Sequence, residues 1–335
     1  MLTFELDRQF AFPFVSESLA PIVCLGCGMP VFSLPGDGSD SLQMSTRTIQ
    51  HDGRERLYYL YLPPLYEASR KYPLLLLLHG GGGSANKMVN FTGFDKLAKD
   101  VGLIIVCPDG VDRHWNDGRE ETGHRAEKEQ VDDVGFVRKI LDTLDLELSI
   151  DNQRVFASGI SNGAMMSYRL ALELPDRIAA IGAVVGALPE PFLQRVWQGR
   201  PVPAIIINGT SDPLVPFSGG DVGSNRKKLG RVVSVPDTVA FWAQRNQCMD
   251  KPRVTDLPLN GMKSGLTVKK TIYANCRDGA DIEFYAVIGG GHTWPRDSLL
   301  AQYLPVAEIG KACRDMDSTK LMWDFFTRHS LPNNI

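Results

Sequence analysis

The sequence predicts an α/β fold, a mostly parallel central sheet with helices on both faces. Three observations predict it. Leu74 to Leu78 is an unbroken run of leucines bounded by turn residues, the pattern of a parallel strand buried on both faces. Further short apolar runs alternate along the chain with segments of helical period. Turn chemistry separates them, as where Pro108-Asp109-Gly110 follows the apolar run Gly102 to Val106.

The elements follow in order. Arg56 to Leu62, Leu74 to Leu78, Gly102 to Val106, Arg154 to Ser158, Ile178 to Val185, Ala204 to Asn208 and Ile282 to Ile288 read as strands. Phe136, Val137, Ile140, Leu141, Leu144 and Leu148 keep the 3.6 period, and Asp132 and Asp133 sit where acids suit a helix N-terminus. A second helix runs through Met165 to Leu172 and stops before Pro175. A third spans Thr238 to Asn246 after Pro236-Asp237, and a last one spans Thr319 to His329. Residues 1–40 read as a leader or loosely packed extension, and 41–335 as one catalytic domain.

The chain has 335 residues, 43% hydrophobic and 22% charged, an ordinary globular composition. A formal charge of -3 with no basic run argues against nucleic-acid partners. No apolar stretch approaches the roughly 18 residues of a membrane helix. Phe10 to Phe32 has the look of a weak export signal, although Glu5, Asp7, Pro13, Glu17 and Pro21 disturb it. Cys24 and Cys27 form a C-x-x-C without the second pair a zinc site wants, so no metal is expected. Cys107 reads as core, and Cys313 is isolated. Cys248 and Cys276 flank a loop and are candidates for a disulfide, which would suit an oxidising compartment. Spacing alone leaves that pairing open.

The chemistry lies in the turns. Gly159-Ile160-Ser161-Asn162-Gly163 joins a strand to a helix. A serine on such a turn is a nucleophile elbow, with helix N–H groups beside it. The serine needs a base, and the base an acid, in the order Ser, Asp or Glu, His. Of six histidines only His292 and His329 follow Ser161. His292 leaves a strand through Gly289-Gly290-Gly291, whereas His329 sits on the last helix and reads as surface. Asp212 leaves the strand Ala204 to Asn208 and is the acid, ahead of Asp221 and Asp237. His79-Gly80-Gly81-Gly82-Gly83 follows the leucine strand and supplies an oxyanion loop, because the G-K-[ST] ending of a phosphate loop is missing. The N–H of Asn162 and of Gly81 are the expected donors, with Gly82 the fallback; His79 reads as structural. Together these turns predict an α/β-hydrolase fold with serine esterase chemistry.

L-H-G-G-G-G-S-A, V-D-D-V-G-F, S-G-I-S-N-G-A-M-M, N-G-T-S-D-P-L-V-P and G-G-G-H-T-W-P together resemble the polyhydroxybutyrate depolymerase/feruloyl esterase-like family of α/β-hydrolases. The resemblance runs from Thr46 to the final helix. It implies a secreted or periplasmic carboxylic-ester hydrolase that needs no metal or cofactor, with the triad on Ser161, Asp212 and His292. It implies a disulfide between Cys248 and Cys276. One departure matters: polymer depolymerases of the group often read H-G-C-x-Q at the oxyanion loop, and no polymer-binding module fits in the remaining residues. Both points favour a soluble feruloyl, acetyl or other short ester, free or linked to a polysaccharide, over hydroxyalkanoate polyester. Acyl transfer on the same triad is the alternative of another class. Trp294, Trp115 and Asn116 are candidates to line the substrate pocket, and Phe217 to Arg231 a mobile rim or plain surface loop. A weak export signal leaves a cytoplasmic location as the alternative.

Overall fold

Among the described residues of the computed structural model, ten strands form the main sheet, in the order β1-β2-β4-β3-β5-β6-β7-β12-β11-β10. The structure describes residues 41–224, 227–259, 263–297 and 306–332. They belong to one compact unit, Ser39–Ile335. The strands are β1 (Gln43–His51), β2 (Arg54–Leu62), β3 (Tyr72–Leu78), β4 (Ile104–Pro108), β5 (Ile150–Ile160), β6 (Ala180–Val184), β7 (Ala204–Gly209), β10 (Arg253–Asp256), β11 (Thr267–Tyr273) and β12 (Ile282–Ile288). β8 (Gly220–Ser224) and β9 (Lys227–Val232) form a separate hairpin. The helices are α1 (Met88–Thr92), α2 (Phe94–Val101), α3 (Arg125–Lys128), α4 (Asp133–Glu147), α5 (Asn162–Glu173), α6 (Val235–Arg245), α7 (Val306–Ile309) and α8 (Ser318–Phe326).

The centre of the sheet, from β4 through β3, β5, β6 and β7 to β12, is parallel, and antiparallel strands flank it on both sides. The leucine run explains its layering. Leu74, Leu76 and Leu78 join the core beneath α4, α5 and α6, while Leu75 and Leu77 join the core beneath α2 and α8. Alternate side chains of one strand thus bury into two layers, so every position of β3 is apolar.

The V-D-D-V-G-F segment divides its acids between two tasks. Asp132 caps α4, accepting from the Gly135 N–H at 2.8 Å. Asp133 is fully buried and pairs with Arg56 at 2.6 Å, whose guanidinium lies 4.0 Å from the Phe136 ring centre. Both acids stand at the start of α4 as expected, Asp132 as its cap and Asp133 in its first turn, and Asp133 carries the buried ion pair as well.

Elements beyond the sequence reading are mostly exposed. β1 and β10 carry no buried residue, and β8–β9 occupies much of the expected rim Phe217 to Arg231. Cys248 and Cys276 form a disulfide that ties the segment after α6 to the turn before β12. The expected leader, with Cys24 and Cys27, lies outside the described residues.

Candidate active site

A single residue, Ser161, separates β5 from α5. It adopts φ 56° and ψ −119°, a region costing about 1–3 kcal/mol for a residue with a Cβ. Its N–H donates to the Val184 carbonyl at 2.9 Å, and its carbonyl accepts from the Met165 N–H at 3.0 Å. The flanking glycines permit the close crossing. A Cβ on Gly163 would lie 2.4 Å from the Leu78 carbonyl oxygen, and one on Gly159 would lie 2.5 Å from the Gly163 carbonyl. The first turn of α5 therefore presses on the ends of β3 and β5 and aims its unpaired N–H groups past Ser161.

Asp212 leaves β7 and His292 leaves β12, neighbouring strands of the sheet. His292 Nδ1 lies 2.7 Å from Asp212 Oδ2. Asp212 Oδ1 accepts from the N–H groups of Leu214 and Val215 at 2.8 and 2.9 Å. The carboxylate is thus held at both oxygens, one fixing its own turn and the other fixing the imidazole. With Nδ1 donating to Asp212, the neutral ring keeps its lone pair on Nε2. The two loops are stitched together: Thr210 N–H donates to the Val287 carbonyl at 3.0 Å and Ser211 N–H to the Gly290 carbonyl at 2.9 Å. The Gly289 N–H returns a bond to Thr210 Oγ1 at 2.8 Å. A Cβ on Gly209 would sit 2.3 Å from the Gly290 carbonyl oxygen, so this crossing requires glycine.

His79 is buried and anchors the loop after β3. Its Nδ1 donates to the Gly80 carbonyl at 2.8 Å, and its Nε2 accepts from the Gly110 N–H at 2.9 Å. Burial pushes its pKa below the usual histidine value. Gly83 N–H closes a turn on the Gly80 carbonyl, with Gly82 at φ 70°. The Gly82 N–H donates to the Arg113 carbonyl at 2.9 Å, which takes it away from the fallback role. Gly81 lies beside the elbow, where its Cβ would stand 3.7 Å from the Asn162 Cβ. Ser161, His292, Gly81 and Asn162 line one cleft of about 260 Å³.

A family model described as "Putative esterase" matches residues 50–253. The chain belongs to this esterase family. "Putative esterase NocK" of Nocardia uniformis subsp. tsuyamanensis is 31% identical over 288 residues, covering 84% of this chain and 82% of that protein. Feruloyl esterase D of Neurospora crassa is 27% identical over 308 residues, 88% of this chain and 89% of its own. Feruloyl esterase B of Piromyces equi is 26% identical over 276 residues, 81% of this chain but 44% of that longer protein. Among solved structures, the acetyl xylan esterase from Aspergillus awamori aligns with TM-score 0.53 at 16% identity, over 74% of this chain and 94% of that one. The fold is accordingly that of the α/β-hydrolases.

The esterase does not bring its three expected pocket residues to the cleft. Trp294 turns inward, edge-on to Phe94, and its Nε1 donates to Thr319 Oγ1 at 3.1 Å. Trp115 is buried behind the elbow, donating from Nε1 to the His79 carbonyl at 2.9 Å and from its backbone N–H to Asn162 Oδ1 at 2.9 Å. Asn116 is buried too, its N–H on Asp133 at 2.8 Å and its Nδ2 on the Val131 carbonyl at 3.1 Å. None of the three lines the cleft that holds Ser161 and His292. His329, expected at the surface, is half-buried against Phe325.

Other residues take the walls. Val222 and Leu229 of the hairpin, with Leu214 and Val215 beyond Asp212, give an apolar side. His114, Arg119 and His124 give a polar one. Arg119 grips Asp117 through two of its nitrogens and donates from a third to the Leu229 carbonyl at 2.6 Å. Val222 and Leu229 lie in the expected rim Phe217 to Arg231, whereas the sequence signal for His114, Arg119 and His124 was their place in the loop after β4, at the carboxyl edge of the sheet.

Proposed function

We propose that the esterase is a serine carboxylic-ester hydrolase working through an acyl-enzyme on Ser161. His292 takes the Ser161 proton as the oxygen attacks the ester carbonyl. Asp212 holds the imidazole tautomer and stabilises its charge. The N–H groups of Gly81 and Asn162 receive the oxyanion, each worth about 3 kcal/mol of barrier. The imidazolium then protonates the leaving alcohol, and His292 activates the water that releases the acid. The carrying observation is the 2.7 Å His292–Asp212 contact in the cleft that also holds Ser161 on its strained turn.

The substrate reading is a feruloyl, acetyl or other short soluble ester, free or attached to a polysaccharide. The relatives named feruloyl esterases support it, as does a cleft of about 260 Å³. The disulfide between Cys248 and Cys276 supports a secreted or periplasmic location.

Ser161→Ala tests the mechanism: p-nitrophenyl acetate hydrolysis should vanish while the protein stays folded, and wild-type activity in that variant would sink the assignment. A panel of methyl ferulate, acetylated xylan, hydroxybutyrate oligomers and p-nitrophenyl esters of graded length tests the substrate. Preference for hydroxybutyrate oligomers or long acyl chains would overturn the short-ester reading. Added sugars or alcohols distinguish hydrolysis from acyl transfer.

A further inference from the structure

His114 and His124 stack with ring centres 3.5 Å apart and an interplanar angle of 16°, and both line the cleft of Ser161. His114 Nδ1 lies 2.7 Å from the Asp112 carbonyl oxygen. A carbonyl oxygen only accepts, so Nδ1 carries the proton and the neutral ring keeps its lone pair on Nε2. That edge of the ring faces the oxyanion loop. A Cβ on Gly81 would lie 3.2 Å from His114 Cδ2 and 3.4 Å from its Nε2. Among the described residues no group hydrogen-bonds this nitrogen.

His124 steadies the arrangement. Burial, then the neighbouring His114, Lys227 and Arg119, push its pKa down to about 4. It is therefore a neutral ring at ordinary pH, and the stack carries no charge repulsion from that side. In the cleft that Ile160, Val215, Val222 and Leu229 also line, the half-buried His114 keeps an Nε2 acceptor with no hydrogen-bond partner among the described residues.

We propose that His114 Nε2 accepts a hydrogen bond from a hydroxyl of the substrate, making this edge of the cleft a subsite for esters that bear a hydroxyl close to the ester group. The inference rests on the serine-esterase reading above. A carbonyl oxygen held by the Gly81 and Asn162 N–H groups brings the substituents of the ester alongside the His114 edge. The hydroxyl belongs to the acyl part or to the alcohol part, and the hydrogen bond is the same in either case.

Matched substrate pairs test this. Methyl 3-hydroxybutyrate against methyl butyrate probes the acyl side, and glycerol monoacetate against propyl acetate probes the alcohol side. The wild-type kcat/KM should favour the hydroxylated member of one pair by roughly 5- to 10-fold, the worth of one hydrogen bond. His114→Phe keeps a flat ring against His124 and removes the acceptor, so that ratio should fall to about one. His124→Phe keeps the His114 acceptor and should retain it. Equal wild-type rates within both pairs, a ratio that survives in His114→Phe, or one lost in His124→Phe each overturn the proposal. The wild-type ratio decides the matter if His114→Phe fails to fold. Hydrolysis of p-nitrophenyl acetate that is absent from the wild type, or that persists in Ser161→Ala, marks failure of the serine-esterase reading instead.

Discussion

Asn162 Nδ2 donates to Asp117 Oδ2 at 2.6 Å, and the same carboxylate oxygen accepts from Arg119 at 2.7 Å. The residue whose backbone N–H is proposed to meet the oxyanion is thus held by its side chain to a buried ion pair. Arg119 extends the link to the hairpin through the Leu229 carbonyl. Under that proposal Asp117 and Arg119 act as positioning residues. Both side chains are nearly inaccessible, at 1% and 4% exposure, so removing one strands the other in the interior. Arg119→Ala should cost about 3–5 kcal/mol in urea unfolding. Asp117→Asn should lower kcat more than it raises KM, because the Asn162 donor shifts while the apolar wall of Leu214, Val215 and Val222 is not held by Asp117. An unchanged kcat in Asp117→Asn would remove this role.

Two glycines separate steric need from backbone need. Gly163→Ala drives a Cβ to 2.4 Å from the Leu78 carbonyl oxygen, a clash with backbone that cannot rotate away. Gly82 has open space around its Cβ position but sits at φ 70°. Gly163→Ala should cost at least about 2–3 kcal/mol and reduce kcat, since the elbow itself must move. Gly82→Ala should cost about 1–2 kcal/mol, the left-handed penalty alone. Equal losses in chemical denaturation would contradict this distinction.

The strain at Ser161 predicts an inactive yet more stable protein. At φ 56° an alanine is as strained as the serine, whereas a glycine is not. Ser161→Gly should exceed Ser161→Ala in stability by about 1 kcal/mol, the strain relief less the added chain entropy. Both variants should be inactive. If Ser161→Ala is the more stable of the two, the elbow is not strained in solution.

What was legible in the sequence follows burial. β3 announces itself because every position is buried and apolar, and β5, β7 and β12 do so through their buried runs 155–157, 204–207 and 284–287, although β5 carries polar residues near its start and β12 carries Glu283. The turns after them could be read because Gly163, Gly209 and Gly82 answer to backbone geometry that only glycine meets easily. β1 and β10 were not legible, because exposed edge strands lack an apolar signature. Trp294 shows the limit of reading by adjacency. It stands two residues from His292 along the chain, yet the intervening turn sends it into the core against Phe94. His114 and His124 show the reverse: ten residues apart in sequence, they meet only because the loop after β4 doubles back.

Histidine burial predicts an acid limit to stability. His124 and His329 are each pushed down to about 4, chiefly by burial, and burial lowers His79 as well. In the unfolded chain these rings titrate near 6.5. Between about 6.5 and 4 the unfolded state therefore binds more protons, and stability rises with pH across that window. The Tm should be level above about pH 7 and fall steadily from pH 6.5 towards 4. A double variant, His124→Phe with His329→Phe, should flatten part of that slope. An unaltered slope would mean that other groups carry the acid sensitivity.

The disulfide predicts a redox-dependent stability without redox-dependent chemistry. Cys248 follows α6 and Cys276 precedes β12, and the two stand 28 positions apart in sequence. Closing a loop of that length removes unfolded-chain entropy worth roughly 3–4 kcal/mol. The bridge lies at the start of β12, whereas His292 leaves its far end after Ile288. Reduction should therefore lower the Tm by several degrees. Below the new transition, kcat for p-nitrophenyl acetate should stay within about twofold of the oxidised enzyme. The Cys248→Ser, Cys276→Ser variant should match the reduced protein in both measurements. A large loss of kcat well below the transition would show instead that the bridge holds His292 in place along the length of β12.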